Sequence, residues 1–196
     1  MVKPMPKGLR ILGADPSFSN WGLAQGIYDP VTSKLTITGL DVIKPVLNKD
    51  KQTRQNSMDI ERSKQLSKGF IDAIRQSDVI AAEIPHGSQS ARAMASYGVC
   101  IGILGMVCNM RVPLIQVNAI ETRKVITGKK EATKAQAIAW AMAKHPEAPW
   151  PMKTVQGVTS VVEGTAEHMA DAIAAIYAAM ETDTFKTMAM LAKKEQ

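Results

Sequence analysis

The chain has little cysteine and no long uninterrupted apolar run, and both absences narrow what it can be. Only two cysteines occur in 196 residues. Cys100 and Cys108 lie in an apolar stretch with no C-x-x-C spacing and no nearby histidine, so neither a disulfide framework nor a cysteine-held metal is expected. Buried thiols in a reducing compartment are the expectation. The longest near-apolar stretch, Ala93 to Cys108, is shorter than the ~20 residues that span a bilayer, and Ser96, Tyr97 and several glycines interrupt it. The N-terminus, Met1-Val-Lys-Pro-Met-Pro-Lys, carries no apolar signal core. A cytoplasmic protein with no membrane partner is expected. There is no internal repeat and no low-complexity segment.

What is present is ordinary for a globular chain, at 45% hydrophobic and 21% charged residues. Its length suits a single domain over 1–196 with a sizeable core. The net charge is +6 and the pI about 9.3. That balance favours a polyanionic partner, although many basic proteins bind no nucleic acid.

Residues 1–8 read as a loose leader. Leu9 to Ala14 is a short apolar run stopped by Asp15-Pro16, which fits a buried strand. Trp21 to Tyr28 and the alternating Lys34 to Ile43 read as two more strands, with Asp29-Pro30 and Thr32-Ser33 turning between them. A helix is expected over 53–76, where Met58, Leu66, Phe70 and Ile74 define one face. Asp78 to Ile84 is a fourth strand that reaches Glu83 before Pro85, His86 and Gly87 break it. A second helix, Ser88 to Met110, holds Gly98, Gly102 and Gly105, which implies close approach to a sheet or to a partner helix. Val112 to Val117 is a fifth strand. A short helix over Ala119–Ile126 and a longer one over Thr133–Lys144 follow. Residues 145–163, with Pro146, Pro149, Pro151 and Gly157, read as a long loop, a length that is uncommon and often functional. An alanine-rich helix spans Thr165 to Met180, and 183–196 is a tail that can continue as a helix. The order β-β-β-α-β-α-β-α-α implies an α/β protein with a mixed five-stranded sheet and helices packed on it.

Three acidic residues stand out by placement. Asp15 ends the first strand, Glu83 ends the fourth, and Asp171 lies within the alanine-rich helix. When the first three strands form a meander, a returning helix can set the fourth strand beside the first, so that Asp15 and Glu83 face each other. Crowded carboxylates repel unless a cation sits between them. Hard oxygen ligands suit Mg2+ or Mn2+. Two such ions roughly 3.5–4 Å apart can activate water and stabilise the leaving oxygen in phosphodiester hydrolysis. Each residue has a plainer explanation. An Asp before Pro is often a turn former, and a Glu at a strand end is usually solvated. An Asp among alanines at a helix centre is harder to explain by propensity. Glu167 and His168 stand four and three residues before Asp171, on its face of the helix, and spacing does not choose between them.

These residues resemble a known family. Ile11-Leu12-Gly13-Ala14-Asp15-Pro16 followed by Gly22 is similar to the opening of the RuvC family of Holliday-junction resolvases. Ala82-Glu83, ending a strand before a Gly- and Ala-rich helix, is similar to its second acidic motif. Ala166-Glu167-His168-Met169-Ala170-Asp171-Ala172-Ile173-Ala174 resembles its final helix. The resemblance runs over 9–179. It implies an RNase H-like fold with helices on both faces of the sheet, two Mg2+ or Mn2+ ions per active site, and a homodimer that nicks both strands of a four-way junction. It also implies His168, rather than Glu167, as the fourth ligand beside Asp15, Glu83 and Asp171. The family places basic residues after the fifth strand, and Arg123 and Lys134 match them. Lys124, Lys129 and Lys130 add to that cationic segment, which reads either as a solvated charged face or as a DNA-backbone contact.

Departures are also visible. Ser17 replaces the Gly that follows Asp-Pro in the family, and His86 replaces an aromatic residue three positions after the second acid. Trp150 in the long loop can stack on a base or simply pack. Such divergence is similar to that of phage-encoded members. Three rival readings remain on sequence. Asp15 with Ser17, Ser19 and Gly22 faintly resembles a phosphate loop of actin-like kinases and ATPases, but the chain is too short for their two halves. A non-catalytic nucleic-acid binder would not need the acidic set. A nuclease of the same fold acting on RNA–DNA hybrids or linear DNA differs chiefly in not needing a dimer.

Overall fold

A computed structural model describes residues 8–47, 54–87 and 89–194. The leader expected over 1–8 therefore lies, Gly8 apart, outside the described residues, as do the expected helix starts at 53 and 88 and the last two residues of the tail.

Period-two alternation shapes the centre of the molecule. Strand β1 (Leu9–Asp15) pairs antiparallel with β2 (Trp21–Asp29), and β2 with β3 (Lys34–Ile43). β4 (Val79–Glu83) runs parallel to β1, and β5 (Leu114–Val117) parallel to β4, giving a mixed sheet in the order β3-β2-β1-β4-β5. Side chains on each strand alternate between two faces. Leu12, Ala14, Ile80 and Ala82 belong to one core, with Leu66, Phe70 and Ile74 of α1 (Gln55–Ile74) and Cys100, Leu104 and Val107 of α2 (Ala91–Val107). Leu9, Ile11, Val79 and Ala81 belong to the other core. That face is covered by α4 (Lys134–Lys144), α5 (Glu163–Met180) and α6 (Asp183–Lys194). Helices thus cover both faces. The alternation also assigns Asp15 and Glu83 to the α5 face, because they continue the rows Leu9-Ile11-Gly13 and Val79-Ala81.

α5 lies unusually low on the sheet. A Cβ added at Gly13 would stand 2.1 Å from the carbonyl oxygen of Ala172, and one added at Gly22 would stand 2.1 Å from that of His168. Both distances are shorter than atoms tolerate, so these strand positions must lack a side chain. The helix contributes a matching small surface, with Ala166, Ala170, Ala172, Ala174 and Ala175 fully buried. Alanine costs helix formation nothing and permits this backbone approach.

α3 (Ala119–Thr127) follows β5 and starts with a reciprocal capping box between Asn118 and Glu121. α4 starts with another between Thr133 and Gln136. Asp78, just before β4, accepts hydrogen bonds from the Arg10 backbone N–H at 2.8 Å and from its Nε at 3.0 Å, which ties the start of β1 to β4.

Three expectations need correction, and one alternative is filled in. The stretch 145–163 is not all loop: β6 (Met152–Val155) and β7 (Val158–Val161) form a separate hairpin. Its turn residues Gln156 and Gly157 both have positive φ, 49° and 79°, the twist that suits a two-residue hairpin. Trp150 packs, donating from Nε1 to the His145 carbonyl at 2.9 Å. Cys100 is buried but Cys108 is exposed, since it falls in the 3-10 turn Cys108–Met110 after α2. Finally, the approach to the sheet expected of Gly98, Gly102 and Gly105 is not found: among the described residues a Cβ at each would meet no atom within 4 Å, which leaves the partner-helix alternative. By length and composition, Ala91–Met110 is apolar enough to cross a membrane. Its inner row is nonetheless docked on the sheet, and Arg92 near its start bonds both oxygens of Asp59 on α1 at 2.6 Å.

Gly13→Ala and Gly22→Ala should each lower stability by about 1–3 kcal/mol, the usual cost of forcing atoms into a packed interior. Urea unfolding read by circular dichroism measures it, with Gly164→Ala, where a Cβ meets nothing within 4 Å, as the near-neutral control.

Candidate metal centre

The β1–β4 ladder runs to Ala14↔Ala82, so the next residue on each strand brings Asp15 and Glu83 side by side. α5 crosses directly above. Its contact at Gly22 fixes the His168 backbone, and its contact at Gly13 fixes Ala172, the residue after Asp171. His168 Nδ1 lies 3.1 Å from Asp15 Oδ2. Both side chains are largely buried, at 16% and 21% exposure.

Each acid is held or loaded differently. Glu83 Oε2 accepts a hydrogen bond from the Thr122 hydroxyl at 2.7 Å. Burial pushes the Glu83 carboxyl up, Thr122 pulls it back, and the Asp15 charge pushes it further. Asp171 is pushed up to about 7, first by burial and then by the charges of Asp15 and Glu83. The imidazole of His168 is held above its ordinary range chiefly by its hydrogen bond to Asp15. Glu167 pairs with Lys134 at 2.8 Å, and its other oxygen is 3.5 Å from His168 Nε2. His168 is therefore the residue in hydrogen-bond contact with Asp15, while Glu167 links it to an exposed cation.

A cleft of about 470 Å3 opens at this end of the sheet. Asp15, Glu83, His86, Tyr97 and Arg123 are among its lining residues. The Arg123 charge acts on Glu83. Of the other expected cations, Lys124 lines a different groove, with Val125, Ala178 and Glu181. Lys130 is exposed in the turn between α3 and α4.

The donor types fit a hard divalent cation. Three carboxylates and one imidazole share a partly buried corner, where burial and the neighbouring carboxylates raise Asp171 and Glu83. As they stand the side chains are engaged with one another: among the described residues no three His, Cys, Asp or Glu groups already form a ligand set.

Sequence reasoning missed two contributors. Thr122 was hidden because a threonine in a charged helix carries no signal until its buried face is known. Lys44, just past β3, donates to the Thr165 hydroxyl at 2.8 Å, one turn before His168, and only the tertiary fold brings it there.

No protein-family model matches the chain, and neither does any curated protein. Solved structures do. The chain is similar to Thermus thermophilus RuvC in complex with a Holliday junction substrate, at TM-score 0.61 and 15% identity over 88% of this chain and 96% of that one. It is similar to Thermus thermophilus RuvC solved separately, at 0.61 and 16% over 89% and 98%. It is also similar to the yeast mitochondrial Holliday junction resolvase Ydc2, at 0.54 and 12% over 99% and 89%. The fold is therefore the RNase H-like fold of these resolvases.

The elevated groups make a linkage prediction. Asp171, Glu83 and His168 each bind a proton more tightly when folded than when unfolded. Their contribution is complete below the unfolded carboxylate range and is lost as pH rises, for Asp171 until about 7. Asp59 and Asp78 have the opposite sign, and their stabilisation is lost only in acid. Hence between about pH 5 and about pH 8 the metal-free Tm should fall, and Asp171→Asn should flatten the fall. Mg2+ or Mn2+ should raise the wild-type Tm more at the higher pH. A pH-independent cation effect, read by differential scanning fluorimetry, would contradict this.

Proposed function

We propose that this protein is a divalent-metal-dependent endodeoxyribonuclease that resolves four-way DNA junctions, and other branched DNA, by paired symmetric nicks. The observation that carries the reading is the convergence of Asp15, Glu83, His168 and Asp171, drawn from distant parts of the chain, at one end of a resolvase-like fold. The whole chain, 1–196, acts as one nuclease unit in the cytoplasm, or in the host's if the gene is a phage's.

Two Mg2+ or Mn2+ ions held by these four residues would polarise the phosphate and lower the pKa of a water. Asp15 and Glu83 offer their carboxylates from adjacent strand ends. Thr122 restrains Glu83 in one rotamer. Arg123, on the cleft wall, holds a phosphate beside the centre, and Lys134 and Lys130 extend the cationic path along the backbone. Lys124 contacts phosphates farther out. Hydrolysis leaves 5′-phosphate and 3′-hydroxyl ends.

Paired nicks require two centres, and α2 supports a homodimer. Ile101 and Met106 are 48% and 37% exposed on its outer side. Gly98, Gly102 and Gly105 leave that surface low, so a second copy's helix can approach closely.

Incubation of the protein with a synthetic four-way junction and Mg2+ or Mn2+ is the direct test. Survival of junctions while hybrids or flaps are cut would overturn the substrate assignment. Asp15→Asn and Asp171→Asn should abolish cleavage yet keep junction binding. Arg123→Ala and Lys134→Ala should weaken binding and reduce the salt slope by about one each. An unchanged slope would return those residues to a solvated face.

A further inference from the structure

From Ala148 to Val162 the chain carries no acidic residue and a single cation, Lys153, although the whole chain has 18 Asp and Glu. This stretch holds the β6–β7 hairpin, which pairs with no other strand. The ladder sets Lys153 opposite Ser160 and Val155 opposite Val158. Opposed residues share a face, so these four make one face of the hairpin. On the other face Val161 packs on the core, and the Thr154 and Thr159 hydroxyls bond each other at 3.0 Å. The first face is open. Val155 and Val158 at its tip are 58% and 69% exposed, and Lys153 has no ion-pair partner among the described residues.

An isolated two-stranded hairpin is marginal in water. This one is shaped by its left-handed turn and by a clamp at its base, where Val162 N–H donates to the Pro151 carbonyl at 2.7 Å. Val162 is also the N-cap of α5, the residue just before its first turn. His168 stands about 9 Å further along that helix, and four-residue strands rise about 13 Å. The tip is therefore within roughly 22 Å of the acidic centre, less than one duplex turn of ~34 Å.

We propose that the hairpin is a DNA-contacting arm whose valine tip packs against unstacked base faces at a branch point, with Lys153 and Ser160 on the adjoining phosphate. This inference rests on the junction reading above. The chemistry selects the ligand. Two valines offer no hydrogen bonds to read base edges, and stacked duplex hides base faces; only a branch point or distorted step exposes them to an apolar wedge. An arm without carboxylates, bearing one cation, suits a polyanion. A second copy of the chain is a poor occupant, because two valines fall far short of the ~800 Å2 per partner of a stable interface.

The test uses the full chain without divalent cation, a four-way junction carrying 2-aminopurine at the branch, and a matched linear duplex. Wild type should bind the junction more tightly and raise the fluorescence. Joint Val155→Ser and Val158→Ser should cost about tenfold in junction affinity, remove the fluorescence rise and leave duplex affinity unchanged. Joint Val155→Ile and Val158→Ile should retain both. Lys153→Ala should reduce the salt slope by about one on either DNA. A serine variant that keeps wild-type affinity and fluorescence overturns the arm, as does one that instead turns a sedimenting dimer into monomer. Wild type with no preference for junction over duplex overturns the junction reading itself.

Discussion

The close approach of α5 to β1 and β2 is the contact on which the rest depends. Two strand positions without side chains, Gly13 and Gly22, let the carbonyls of Ala172 and His168 descend to where a Cβ would stand. Asp and His have short side chains, and their carboxylate and imidazole reach Asp15 only if the helix backbone is this near. The same nearness explains the composition of α5. A row of alanines is a weak source of hydrophobic energy per residue, so the helix gains its place by burying many small side chains together with Met169, Ile173 and Ile176. Helix, glycines and acids are one device.

That device has an electrostatic cost. Burial raises the carboxyl of Asp171, and Asp15 and Glu83 raise it further. The local neutralisers are few: His168 against Asp15, the Thr122 hydroxyl against Glu83, and Arg123 across the cleft. Lys134 is tied to Glu167 rather than to the centre. Three carboxylates in this setting would repel a phosphodiester as strongly as they repel one another. The excess of positive charge elsewhere on a chain of net charge +6 can draw DNA toward the protein, but only a cation between the acids lets a phosphate enter. The same corner that is unfavourable alone becomes favourable when it is loaded, which is why its stability and its chemistry are expected to respond to the same ion.

Much of this was legible in the sequence, and the limits have physical causes. The opening meander, the five strands of a mixed sheet and the placing of the fourth strand beside the first were legible from period-two and helical patterns, which survive into the fold because burial enforces them. The importance of Asp171 followed from a poor helix former placed among alanines. Contacts between elements were not legible. Nothing local separates Gly13 and Gly22, which touch α5, from Gly98, Gly102 and Gly105, at which a Cβ would meet nothing among the described residues. The hairpin was hidden because its strands are four residues long, follow closely on Pro146, Pro149 and Pro151, and turn on Gln156-Gly157, a weaker signal than Asn-Gly. Spacing alone left Glu167 and His168 equal; the helix rotation that separates them is set by where α5 lands on the sheet.

The cleft is lined by the ends of β1 and β4 and by α2 and α3, while the hairpin stands outside it, ahead of α5. The resemblance to resolvases leads one to expect an aromatic residue after the second acid, where this chain has His86. That imidazole is exposed, with Nδ1 3.1 Å from the Ile84 carbonyl, and offers a small polar ring in place of a broad apolar one. A branch point still presents base faces that water covers poorly, and a protein selecting branched DNA over duplex gains discrimination only from contacts that duplex cannot make. On the α5 side, the hairpin supplies an apolar tip that the free protein leaves in solvent. Exposing two valines gains nothing for the isolated fold, and under the proposed reading they would find their partner in the base faces of a branch point. Under that reading the apolar contact that duplex cannot make would come from the hairpin ahead of α5 rather than from the position after Glu83, joined through Val162 to the helix that carries His168 and Asp171.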